Sequence, residues 1–331
     1  MPIARRPLLR AAAAAALLPA AARGQAAPQG GPGPWPNGPV RIIAPFPPGG
    51  SVDTLARLVQ APLQQALGVP VVVDNRAGAS GSVGTAAAAR AVPDGQTFVM
   101  VFDTHAVNPF LIPNMGFDTR RDLAPVMLVG TAPMLLTTHR SRPWQTMAEV
   151  VAAARARPDT LTYGSIGNGS LAHLTMTLVQ RAGGFQVVHV PYRGGGPLAV
   201  AAAAGEVDLP VASAAALAAP LASALRPLAQ TGARRSPLFP DLPTLAESGI
   251  PGIDALAWWG VLAPARTPEP VLRRFHAALR DVLQSPAIRA RLADPLGVDL
   301  VASEPEAFAA FLDRQMDTWS RVVRENDIRP D

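Results

Sequence analysis

Four glycine-rich turns hold the groups in this chain with the clearest chemical capacity. Gly49-Gly50-Ser51, Gly78-Ala79-Ser80-Gly81-Ser82 and Gly167-Asn168-Gly169-Ser170 join bare backbone amides to a small hydroxyl, and Gly194-Gly195-Gly196 offers amides alone. Each opens a stretch with helical spacing. A helix start leaves its first N–H groups without intrahelical acceptors and carries the positive end of the helix dipole. Such a turn seats an anion without any lysine or arginine. A plain strand-to-helix connection is the alternative for any one of them; recurrence favours the anion seat. Two fall in each half of the chain, so a small acid with carboxylates at opposite ends would satisfy both walls of a cleft at once, which favours a closed form.

Catalytic constellations do not assemble. The five histidines (His105, His139, His173, His189, His276) show no HxH or HExxH spacing, so no metal is expected. G-x-S-x-G is missing, and a chain without lysine has no Walker A lysine. Gly167 to Ala172 matches a dinucleotide fingerprint loosely, without the acidic residue a ribose contact needs, and no cofactor is expected. Asp53, in the first turn of its helix, reads as an organiser of that turn or a ligand contact. His173 reads as a packed or capping residue or a contact. Thr104 and His105 end a strand facing the expected cleft. Arg193 is suited to a bidentate carboxylate pair or to solvent, and Trp258 and Trp259 read as hinge packing.

The elements around these turns alternate. Val40–Ala44 is an apolar strand, and apolar positions 52, 55, 56, 59, 63, 66 and 67 trace a helix with Ser51 as its N-cap and Pro62 as a kink or break. Strands are expected at Val69–Val73, Thr97–Phe102, Leu161–Ser165, Gln186–Pro191, Val207–Ala212 and Arg226–Thr231. Helices are expected over Val83–Ala91, Leu171–Ala182, from Leu198, and over Pro268–Gln284 with Thr267 as cap. Thr146-Met147-Ala148-Glu149 and Ser303-Glu304-Pro305-Glu306 read as capping boxes for helices to about Arg157 and Glu325. Val126–Thr138 and Ala257–Pro264 read as strands crossing between lobes. The expected class is α/β with a parallel sheet in each of two lobes, ligands lying at the strands' carboxyl ends.

Composition is that of a globular protein, 49% hydrophobic and 16% charged in 331 residues, without cysteine. Arg5, Arg6 and Arg10 before the alanine-rich run 11–22 read as an export signal (residues 1–22, twin-arginine or Sec) with cleavage near Ala22 and a disordered leader over 23–36. Removing 1–22 takes three arginines and no acids from 29 basic and 24 acidic residues, leaving about +2, so no nucleic-acid surface is expected. Lobe 1 is expected over 37–130 plus 262–331, and lobe 2 with the hinge strands over 131–261.

Read together, the motifs resemble the periplasmic substrate-binding receptors of tripartite tricarboxylate transporters, the Bug-type family. They are Pro45-Phe46-Pro47-Pro48-Gly49-Gly50-Ser51-Val52-Asp53, Asn75-Arg76-Ala77-Gly78-Ala79-Ser80-Gly81, Thr104-His105-Ala106-Val107-Asn108-Pro109 and Tyr163-Gly164-Ser165-Ile166-Gly167-Asn168-Gly169-Ser170 with His173, followed by Val190-Pro191-Tyr192-Arg193-Gly194, Gly205-Glu206-Val207-Asp208 and Trp259-Gly260-Val261-Leu262-Ala263-Pro264. The resemblance implies a two-lobed type II periplasmic-binding fold with two crossing hinge strands. It implies a non-catalytic, monomeric, extracytoplasmic receptor closing on a small carboxylate (a di- or tricarboxylate, an aromatic acid or similar) for a membrane permease. Pro48 to Ser51 and Gly78 to Gly81 would hold one carboxylate through amides and ordered waters. Ser165 to Ser170, His173 and Tyr192 to Gly194 would meet the rest. The family's aspartate after the Gly-x-Val-Asp piece is replaced by Ala212 and Ser213, which points towards unaminated or aromatic acids. An exported enzyme using His105 or His173 as general base and a sensory receptor for a signalling partner are the other readings.

Overall fold

The computed structural model describes residues 35–294, 296–326 and 328. The expected export signal and most of the leader lie outside them. The apolar run before the first turn forms β1 (Val40–Ala44), flanked in parallel by β2 (Val71–Asn75) and β3 (Thr97–Phe102). α1 (Ser51–Leu67) and α2 (Ser82–Ala89) connect them, and the short turns α3 (Asn108–Leu111) and α4 (Thr119–Asp122) lead onward.

β4 (Leu123–His139) then runs for 17 residues. Over 123–133 it pairs antiparallel with β9 (Leu256–Pro264), whose other edge pairs β3. Over 134–139 it pairs with β7 (Leu209–Ser213) and β8 (Leu225–Gln230). One strand thus carries the sheet from the first lobe into the second, where β5 (Thr162–Ser165) lies parallel between β6 (Val188–Pro191) and β7. The path β2-β1-β3-β9-β4-β7-β5-β6 places β9 and β4 between the two sets of parallel strands. α5 (Met147–Ala156), α6 (Leu171–Gly183), α7 (Gly195–Ala204) and α8 (Ala214–Ser223) belong to the second lobe.

The chain returns through α9 (Glu269–Gln284), α10 (Pro286–Ala293), β10 (Asp299–Leu300) and α11 (Pro305–Glu325). These pack back on the first lobe. Phe275 of α9 stacks on Phe98 of β3 at 3.6 Å between centroids, and Phe308 of α11 lies edge-on to Trp258 at 5.9 Å. Trp258 and Trp259 are fully buried, as hinge packing requires.

Several local expectations are corrected. Pro62 does not split α1; it forfeits one intrahelical bond, and buried Leu58 and Leu63 keep the helix packed on either side. Gly50, not Ser51, is the N-cap, and the Ser51 hydroxyl instead accepts from the Trp259 indole N–H at 3.2 Å. Pro268 rather than Thr267 caps α9, and the 303–306 segment forms no capping box, since the Ser303 hydroxyl accepts from Leu128 N–H and donates to the Glu304 carbonyl. α7 begins at Gly195, three residues before Leu198, with Gly194 as its N-cap. α8 went unforeseen: apolar all round, it shows no helical alternation.

Candidate functional site

The first turn is fixed from below by Asp53. Its carboxylate accepts from Gly49 N–H at 3.0 Å, Arg57 Nε at 2.9 Å and Asn75 Nδ2 at 2.9 Å, while the same Asn75 amide donates to the Phe46 carbonyl at 3.1 Å. Burial pushes the Asp53 pKa up, but the hydrogen bonds from Arg57, Gly49 and Asn75 and the Arg57 charge outweigh it, so the net shift is downward. Asp53 is therefore turned into its own turn, and the geometry supports the organising role. Above it, α1 starts without a side-chain cap, leaving its first-turn amides to whatever lies beyond.

What lies beyond is the fourth turn. Gly194 holds φ 110°, a conformation closed to ordinary side chains, and presents the uncapped start of α7. A Cβ on Gly50 would come within 3.7 Å of Gly195 N, and one on Gly194 within 3.1 Å of the Pro47 ring. The backbones of the two helix starts thus lie close across the lobes, and of these two glycines it is Gly194 that a side chain would crowd. Farther out, Ser80 of the second turn donates to the Asn168 carbonyl at 3.1 Å, a direct bond between jaws.

Two spaces result. The mouth, ≈ 550 Å³, lies between turns 77–81 and 191–194, with Phe46 and Ile166 at its floor. Behind them is a second, smaller chamber. Gly50, Ser51 and Val52 line the chamber from one lobe, and Gly195, Ser213 and Ala216 from the other. Of the expected site residues, Gly78, Ala79, Ser80, Gly81, Gly167, Tyr192, Arg193 and Gly194 line the mouth and Gly50 and Ser51 the chamber. Pro48 and Gly49 shape the first turn behind this lining.

The third turn differs from expectation because its donors are engaged by the protein itself. Gly167 N–H donates to the Ser165 hydroxyl at 3.1 Å, Gly169 N–H to His173 Nδ1 at 3.1 Å, and His173 N–H to the Ser170 hydroxyl at 3.3 Å. His173 stacks on His189 at 4.4 Å, which in turn stacks on Tyr163 at 4.6 Å. Thr104 and His105 are buried and line neither space. His105 is pushed down to about 4 by burial. His105 is thus a buried ring, and the His173 ring is bonded to its own turn.

One residue that motif reading passes over enters the chamber. Asp103 follows β3 directly, at the start of the 3-10 turn Asp103–Ala106, is 1% exposed, and lines the chamber. Burial drives its pKa well above the carboxylate range, the amides of Thr104 and of Leu171 at the start of α6 only moderating it. An acid closing an otherwise apolar strand, at the carboxyl end where ligands bind, was the available signal.

Residues 55–328 match the family described as the tripartite tricarboxylate transporter family receptor, TctC. The chain belongs to this family. TctC receptors are periplasmic solute-binding proteins for small carboxylates that work with membrane transporters, not enzymes. The chain is 35% identical over 298 residues to Protein BugT of Bordetella pertussis, covering 89% of this chain and 91% of that one. Among solved TctC-like structures, R. palustris Rpa4515 with adipate is 33% identical with TM-score 0.85, covering 90% of this chain and all (100%) of that one. MatC (Rpa3494) from Rhodopseudomonas palustris with bound malate is 29% identical with TM-score 0.81, covering 87% of this chain and 100% of that one. The two-lobed fold with two crossing strands is thus that of periplasmic binding proteins. Among the described residues, no helix is long and apolar enough to cross a membrane.

Proposed function

We propose that this TctC receptor closes on a small carboxylate by main-chain amides of opposing turns and delivers it to membrane permease subunits. The observation that carries the reading is the pair of uncapped helix starts, α1 and α7, brought face to face by Gly50 and Gly195. Amide donors fixed in this way bind an anion with little reorganisation. The lobes are 37–130 plus 262–331 and 131–261, hinged on β4 and β9. Turns 48–51 and 78–81 grip from one lobe and 192–196 from the other, with the self-bonded third turn as a rigid wall. Adipate and malate on the related structures fit a cargo of this size and charge. The protein acts as a monomer, exported by the segment 1–22 with cleavage near Ala22.

The test is a thermal-shift and calorimetric panel of dicarboxylates, aromatic acids and amino acids against the purified protein. At least one acid is expected to raise Tm by several degrees and to bind with micromolar or tighter Kd. Indifference to every acid, together with turnover of some other compound, would overturn the reading.

A further inference from the structure

We propose that a groove behind the hinge, on the face of the crossing strands turned away from the cleft, is a docking site for a segment of the permease, and that its width reports whether the cleft is closed. This rests on the receptor reading above and names where the cargo-loaded form is recognised.

Strand alternation fixes the position. Successive side chains of a strand point to opposite faces, and residues paired across two strands share a face. Met134 of β4 pairs with Ser213, and both line the chamber. Thr131 and Pro133 belong to the alternate set and face the other way, as do their partners Asp299 of β10 and Leu256 of β9. These four line a groove of ≈ 480 Å³ together with the segment 231–237 that follows β8. Asp299 belongs to the first lobe and 231–237 to the second, so the groove, like the cleft, takes a wall from each. The crossing strands lie between the two spaces. Rotation about them that shuts the cleft widens the groove, and opening the cleft narrows it. A body that fits the wide groove is therefore linked to the cargo, each tightening the binding of the other by the same factor. Delivery needs a partner that tells loaded receptor from empty, and a groove whose shape follows closure supplies the differential contact.

The groove's charges specify the occupant. Arg235 is held by Glu247 at 2.8 Å, and Asp254 by the Ala233 N–H at 3.2 Å. Arg234 and Asp299 make no hydrogen bond or ion pair among the described residues. Exposed charges are commonly left to water. These two stand on opposite lobes and line one concave space, with the apolar Leu256, 38% exposed, in the same lining. A peptide segment offering a carboxylate to Arg234, a cation to Asp299 and an apolar side chain to Leu256 matches all three.

Two pairs of variants test the coupling and the docking, with the tightest acid from the panel as cargo. Thr131→Trp and Leu256→Trp place a bulky ring in the groove, which opening of the cleft must squeeze. Calorimetry is expected to show cargo affinity raised roughly 10-fold in at least one of them, through slower dissociation. Arg234→Glu and Asp299→Arg reverse the exposed charges. Both are expected to keep the wild-type Tm and cargo affinity, while uptake of the acid by cells making the receptor with its permease falls at least about 10-fold. Wild-type or weaker affinity in both tryptophan variants at an unchanged Tm overturns the coupling, and undiminished uptake with both charge variants overturns the docking; either result sinks the proposal and leaves the receptor reading standing. If the tryptophan variants fail to fold, the charge variants decide. A wild type that binds no acid overturns the receptor reading and this inference with it.

Discussion

Pro48 and Gly196 meet across the cleft so closely that a Cβ on Gly196 would stand 2.9 Å from the Pro48 carbonyl oxygen. The contact belongs to the closed arrangement of the lobes, because the two residues come from opposite jaws.

Gly196→Ala is therefore expected to hinder closure without harming the fold. Alanine is favoured over glycine in a helix by about 0.5–1 kcal/mol, so α7 and the ligand-free Tm should hold or gain. Affinity for the cargo is expected to fall at least about 10-fold, and small-angle scattering should show no compaction on ligand addition. Wild-type affinity in this variant would mean that the Pro48–Gly196 approach is irrelevant to binding.

Asp53→Asn tests the base of the first turn. Losing the charged acceptor of Gly49, Arg57 and Asn75 is expected to cost about 1–3 kcal/mol in urea denaturation. The Arg57 share is small, since that side chain is 50% exposed and screened by water. With its folded pKa below the unfolded value, Asp53 stabilises the protein above the unfolded pKa, and this contribution fades as pH falls through the folded one. The variant should show a shallower loss of stability on acidification than the wild type. An equal slope would contradict the assignment.

His105 and His189 set a second pH dependence. Burial lowers each to about 4, with the charge of His173 adding to the effect on His189. Both are neutral in the folded protein, while unfolded histidine takes up a proton near pH 6.5. Their contribution is complete above that pH and is lost as pH falls towards 4, on the order of 1–2 kcal/mol each by pH 5. Denaturation curves at pH 7.5 and 5.0 check this; His189→Gln should remove part of the difference. A stability that is flat across this window would contradict the buried neutral state.

Strongly local features were legible in the sequence. β3 spans Thr97–Phe102 as the apolar run predicts, and Thr146 accepts from Glu149 N–H at 3.3 Å as the capping motif requires. The Glu149 side chain, however, reaches back to Gln145 N–H rather than to Thr146. The turns at 49–51, 78–81 and 194–196 were visible because glycine clusters mark backbone that must stay bare. Long-range partners were not visible. Nothing near Ser51 announces Trp259, 208 residues away, as the donor to its hydroxyl. The third turn looks as open as the first until His173, Ser165 and Ser170 fold over its amides. Asp103 carries no motif, and only the meeting of the two lobes encloses it.

A crystal structure of the protein with the tightest acid from the panel tests the central claim most directly. The account predicts carboxylate oxygens within about 2.7–3.2 Å of main-chain N–H groups from both the 49–52 or 78–81 turns and the 194–196 turn. An acid held instead by an arginine guanidinium outside the cleft, or bound while these turns stand apart, would contradict it.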